Sequence, residues 1–320
     1  MIQQNVTGIF YFAGYKKEGE IDLRTRIIGS AALLTATLIW GTSLVAQSLG
    51  NAYVGPFTFN AARFFIGAFI LLPVILAAHC RGGRRRADNP ASPPQRNLLL
   101  WGGVLCGCIV FVTASLQQVG IAYTTVGKAG FITALYIILV PVLGLFRGKR
   151  VGGRIWACIA LAVVGMYLLC IQGTFSLGLG DSLVLLCACS TAVHILAIDY
   201  FSCRVNCVNL SCIQFLTCGT LSLVVSLVFE RPSAAALISA AAPILYTGIF
   251  SCGIAYTLQA VGQKHVSSVS AALILSLESV FSALSGWVLL GETLSIRELL
   301  GCTVIFAAIL AAQIPMKRKD

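Results

Sequence analysis

The chain has 320 residues, of which 58% are hydrophobic and only 10% charged, and its mean hydropathy is +0.91. Ordinary soluble domains carry about 25% charged residues, which excludes a soluble enzyme or binding domain. A formal net charge of +11 would point to nucleic acid in a soluble protein, but here the basic residues sit in short loops between apolar spans. There they report orientation across a lipid bilayer, and no nucleic-acid partner is expected.

Residues 1–27 read as a cytoplasmic tail. Its one apolar run, Gly8–Ala13, is too short for a signal peptide and lacks a preceding basic region. Ten apolar segments follow, at about 28–49, 56–79, 97–121, 124–146, 153–171, 181–201, 209–229, 236–262, 267–290 and 296–314. Stretches of this length and apolarity span hydrocarbon, where only a helix satisfies its own backbone, so the expected fold class is an all-α membrane protein of ten transmembrane helices. Residues 315–320 form a basic tail. With the amino terminus inside, eighteen Lys and Arg fall on the inner side, two (Arg231 and Arg297) on the outer side, and two (Arg63 and Lys128) within spans. This asymmetry predicts that both termini, and the Arg81–Arg96 loop, are cytoplasmic. Most of the thirteen cysteines lie singly in spans, as small hydrophobes do. The group Cys203, Cys207, Cys212 has no CxxC pair or adjacent His, so no metal or other cofactor is expected.

Two stretches are related. Val119–Gly144 and Val261–Gly286 match at an offset of 142, with identities at Val119/Val261, Gly120/Gly262, Ala129/Ala271, Ile132/Ile274, Leu135/Leu277 and Gly144/Gly286. Leu116-Gln117 repeats as Leu258-Gln259 in the same register, which sets Tyr136 opposite Glu278; Arg63-Phe64 aligns with Gln214-Phe215 at an offset of 151. The chain therefore divides into two five-helix halves, 28–171 and 181–314. Because five is odd, the second enters the membrane in the opposite sense, giving an inverted-topology repeat.

Against this background, WGTSLVAQ (Trp40–Gln47), GPFTFNAARF (Gly55–Phe64), GKAGFITALYIILVP (Gly127–Pro141) and LESVFSALSGWVLLGE (Leu277–Glu292) resemble the drug/metabolite transporter superfamily, EamA type, over about 28–315. The resemblance implies a ten-helix carrier in the plasma, or bacterial inner, membrane that moves a small metabolite (an amino acid, an amine or a drug-like solute) by alternating access. The family often has Pro after the Glu of the ninth helix. Here Ser279 stands in that place, removing the usual cause of a kink.

Eight side chains are candidates for the substrate path. Arg63 lies about seven residues into the second span, or roughly 10 Å at 1.5 Å per residue, with Asn60 on the same face; a guanidinium there could fork onto a carboxylate or phosphate, or could brace helices. Glu278 lies near mid-depth, where a carboxylate faces protein rather than lipid. The small residues Ala271, Ser282 and Ser285 on its face admit a close neighbour. Desolvation opposes its charged form and a nearby Arg63 would favour it, so protons are a candidate coupling ion. Trp40, Gln117, Tyr136, His194 and Gln259 complete the set, Gln117 and Gln259 as repeat equivalents. Glu292 and Arg297 read as outer caps. No GxxxxGK[ST], HExxH or GxSxG stands in the chain, which argues against an ATPase or hydrolase. An integral-membrane enzyme or a sensor or scaffold without transport is the alternative, and the composition leaves room for a homodimer.

Overall fold

A computed structural model describes residues 23–86, 93–124, 126–146, 148, 151–170, 178–290 and 295–313, and every regular element among them is helical. The tails, the centre of the Arg81–Arg96 loop and Glu292 lie outside the described residues, as does the side chain of Lys128. The first half consists of α1 (Leu23–Gly50), α2 (Pro56–Arg86), α3 (Pro93–Ile121), α4 (Val126–Ala134), α5 (Tyr136–Phe146) and α6 (Gly153–Cys170). The second consists of α7 (Leu179–Ser202), α8 (Cys207–Phe229), α9 (Ala234–Ser239), α10 (Ala241–Tyr246), a π-helical stretch (Thr247–Tyr256), α11 (Thr257–Gln263), α12 (Ser268–Leu275), α13 (Glu278–Leu290) and α14 (Ile296–Gln313).

Among the described residues, eight segments are long and apolar enough to cross a membrane. The two remaining expected spans are α6, whose apolar part Gly153–Leu168 is shorter, and α14, which has 18 residues and carries Arg297 and Glu298 in its first turn. These two pack against each other. Many large apolar side chains point outward, including Trp101 (76% exposed), Phe229 (77%) and Phe146 (85%). A surface of this kind is stable against lipid tails and not in water, so the chain is a multi-pass membrane protein.

Three expected spans are not continuous helices. The spans over 124–146 and 267–290 are each broken, and the breaks are equivalent in the repeat: Leu135 separates α4 from α5, and Ser276-Leu277 separates α12 from α13. At both, the backbone tightens to an i→i−3 bond, Leu135 N to Ile132 O at 3.2 Å and Leu277 N to Ile274 O at 3.1 Å. Serine hydroxyls take the place of proline at the second break. Ser276 Oγ donates to Leu273 O at 2.7 Å and Ser279 Oγ to Ser276 O at 2.8 Å, a back-bonding that bends helices. The third span, expected over 236–262, starts as two short helices and then widens into the π-helical stretch, a feature that recurs at functional sites.

The two halves interlock. α3 packs on α7 as α11 and the π stretch pack on α1, and α4 and α5 meet α7 as α12 and α13 meet α1. Two further principal pairs, α2 with α8 and α6 with α14, unite each helix with its own repeat counterpart, and α3 packs on α8 as the π stretch packs on α2. Glycines set the closest crossings. A Cβ on Gly262 would lie 2.8 Å from Gly29 O, and one on Gly180 would lie 2.9 Å from Gly120 O. These are repeat-equivalent pairs, at which only Gly lets the backbones touch. The largest buried cluster joins α1, α4, α5, α7, α12 and α13 through Leu44, Ile132, Ile137, Ile195, Leu273 and Val280. A second joins α2, α3, α8 and the π stretch through Phe64, Val110, Phe215 and Cys252. Between them lies a polar cavity.

Candidate functional site: a polar cavity between the two halves

The cavity is lined by Trp40 and Gln47 of α1, Arg63 of α2, Val110, Thr113 and Gln117 of α3, Thr133 and Tyr136 of the first break, and Thr191, His194 and Ile195 of α7. Ser251, Tyr256, Gln259, Leu275 and Glu278 of the second half complete it. Seven of the eight sequence candidates thus come together: Trp40, Arg63, Gln117, Tyr136, His194, Gln259 and Glu278. Asn60 does not. It lies one turn before Arg63, is fully buried, and both of its side-chain polar atoms lack a partner among the described residues. Space for water within the cavity amounts to about 50 Å³, several times what one water needs.

The symmetric breaks carry symmetric positions into this cavity. Tyr136 is the first residue of α5 and Glu278 the first of α13, and Thr133 and Leu275 are likewise equivalent. A carboxylate at a helix N-terminus is favoured by the helix dipole. Discontinuous membrane helices meeting at a polar cavity are a recurrent way of building a transport site. Tyr136 is 2% exposed, and among the described residues its hydroxyl, Thr133 Oγ1 and Gln259 Oε1 are buried without a hydrogen-bond partner.

Arg63 is 3% exposed, and its Nε has no partner among the described residues. Its guanidinium lies over the rings of Phe64 (5.0 Å to the centroid) and Phe59 (5.6 Å). Phe64 meets its repeat equivalent Phe215 with tilted rings 6.0 Å apart, so Arg63 stands beside the crossing of the two halves. Arg63 and Glu278 share the cavity but form no ion pair within 4.0 Å. Their closeness in depth therefore does not become a contact, because they enter from different walls.

Tyr256 joins those walls. Its ring meets Trp40 edge-on at 4.8 Å, His194 at 6.0 Å, Phe215 at 5.8 Å and Phe64 at 6.2 Å. Trp40 Nε1 donates to Ser251 O at 3.4 Å, a carbonyl in the π stretch. His194 Nε2 donates to Gln214 Oε1 at 3.3 Å, which satisfies one ring nitrogen as a packed histidine requires. Sequence reasoning missed Gln47, Thr113, Thr133, Thr191, Ser251 and Tyr256. Two of these had a signal: Gln47 ends the Trp40–Gln47 motif two turns after Trp40, and Tyr256 precedes Gln259 by three residues on one helical face.

The model of the EamA-like transporter family matches the chain twice, over residues 27–171 and 178–312. An uncharacterized transporter of Archaeoglobus fulgidus is 28% identical over 300 residues, covering 92% of this chain and 89% of its own. The uncharacterized transporter YoaV of Bacillus subtilis is 24% identical over 285 residues, covering 87% and 94%. A solved crystal structure shares the fold with a TM-score of 0.72 at 22% identity, covering 89% of this chain and 96% of that one. With two copies of the family's defining unit spanning nearly all of its helices, the chain belongs to the EamA-like transporter family.

Proposed function

We propose that the protein is a secondary transporter that carries a small metabolite bearing separate anionic and cationic groups, an amino acid or a related zwitterion, through this cavity by alternating access. The observation that carries this reading is that Arg63 and Glu278 line one cavity and pair neither with each other nor with another charge among the described residues. An isolated charge within a membrane protein is costly, and one unpaired charge of each sign doubles that cost. An occupant with a carboxylate and an ammonium group neutralises both. Arg63 suits the carboxylate as a planar fork, Glu278 the ammonium, and the edges of Trp40 and Tyr256 the remaining apolar part.

The architecture supports the cycle. Ten spans in two inverted five-helix halves with both termini cytoplasmic is the arrangement that the repeat and the charge asymmetry favour, and the exchange-symmetric packing fits it; the plasma membrane is the site that the family resemblance suggests. Two such halves rocking about a fixed central site is how inverted repeats transport. Counterflow in proteoliposomes tests the reading. Preloaded zwitterionic amino acids should drive uptake of labelled substrate, whereas simple amines, carboxylates and nucleobases should not. Counterflow with amines or nucleobases and none with zwitterions would overturn the substrate class, and no counterflow with any solute would favour an enzyme or scaffold.

A further inference from the structure

The two repeats cap one helix in different ways. At the offset of 151 that aligns Arg63-Phe64 with Gln214-Phe215, Gly55 is equivalent to Asn206. Asn206 caps α8 from within its own half, its Oδ1 accepting from Val208 N at 3.0 Å and Asn209 N at 3.1 Å. Gly55, which precedes α2, has no side chain to do this. The cap comes instead from the far half: Glu230, at the end of α8, accepts from Phe57 N at 2.8 Å, Thr58 N at 2.6 Å and Thr58 Oγ1 at 2.7 Å. Thr58 and Ser226 hydroxyls meet at 2.6 Å beside it. A Cβ on residue 55 would fall 2.3 Å from Glu230 Cδ, so the absent side chain is what admits the carboxylate.

Resting on the alternating-access reading above, we propose that Glu230 is an inter-repeat latch, a positioning residue that holds the Pro56 end of the α2–α8 pair closed and must release α2 whenever the cavity opens at that end. Carboxylate bonds to backbone N–H groups at a helix N-terminus are charge-assisted, and the helix dipole strengthens them. The latch lies about five residues, or roughly 8 Å, from Arg63 along α2, so parting the helices here exposes the wall that bears the guanidinium. At the opposite end of the pair the N-terminus of α8 is capped by Asn206 of its own half and not by a carboxylate of the other half. The device is therefore one-sided and favours the state closed at the Glu230 end.

The test separates capping from latching. In Gly55→Asn/Glu230→Ala, residue 55 caps α2 locally in the space Glu230 vacates, while the tie to α8 is gone. A single cysteine at Thr113, a cavity position, is placed in the full chain freed of its other cysteines. It is labelled in membrane vesicles with an impermeant maleimide from each face, and a cysteine at exposed Ala235 identifies the face that carries Glu230. The double variant should label about tenfold faster than the parent from that face, the loss expected when charge-assisted bonds are removed, and more slowly from the other. Glu230→Gln, which keeps the shape of the cap, should shift labelling in the same direction by less. Unchanged labelling in the folded double variant overturns the latch. If that variant does not fold, Glu230→Gln labelling like the parent overturns it instead. A parent that labels from one face only refutes alternating access, and the latch with it.

Discussion

Replacing Arg63 with methionine should leave the protein at least as stable as before while abolishing transport. Arg63 is 3% exposed, its Nε is unpartnered and no carboxylate lies within 4.0 Å of its guanidinium among the described residues. Taking such a charge out of water costs several kcal/mol. Against this stand two cation–π contacts, at 5.0 and 5.6 Å, worth about 1–4 kcal/mol together when desolvated. The balance is a standing cost of about 1–3 kcal/mol, which Met relieves by filling similar volume without charge. In detergent this should appear as a melting temperature raised by a few degrees. Counterflow of the same preparation should be lost. Arg63→Lys keeps the charge but not the fork and should raise the half-saturation concentration about tenfold to a hundredfold. A Met variant that melts several degrees lower, or fails to enter the membrane, would show that Arg63 braces the helices and would refute this reasoning.

The remaining predictions follow from other parts of the molecule. Glu278→Gln keeps shape but cannot exchange a proton, so it should abolish accumulation driven by a pH gradient while sparing exchange at equal pH; a variant that still concentrates substrate rules out proton coupling. Gly165→Val should lower the melting temperature by the equivalent of about 1–3 kcal/mol, because a Cβ there lies 2.8 Å from Ile305 Cγ1 and 2.9 Å from Gly301 O across the α6–α14 contact; melting like the parent would contradict that close approach. A cysteine at exposed Gly152 should label from the cytoplasm and one at exposed Ala235 from outside, and the reverse pattern would overturn the orientation read from the charges.

What the sequence determined by itself is what varies along one dimension. Span lengths and apolarity are set by the thickness of hydrocarbon, and the duplication is written in the register that pairs Gly120 with Gly262 and Leu135 with Leu277. Depth is also one-dimensional, because each helical residue rises about 1.5 Å. This is why Arg63 and Glu278 could be placed at similar depths before their neighbours were known.

Tertiary structure decided which way those residues turn and what meets them. Asn60 shares a helix face with Arg63 yet misses the cavity: one turn away on the same helix it is fully buried and outside the lining. Tyr256 reaches the centre because the π stretch sets its direction, and nothing in GIFSCGIAY announces a π helix. The breaks at Leu135 and Leu277 need no proline; at the second, serine hydroxyls bond back to carbonyls when packing offers the bend, a choice that local propensity leaves open. Glu230 caps a helix that begins 173 residues away, as counted to Phe57. A backbone N–H takes whatever acceptor the folded chain brings to it, and only the assembled bundle brings Glu230 to α2.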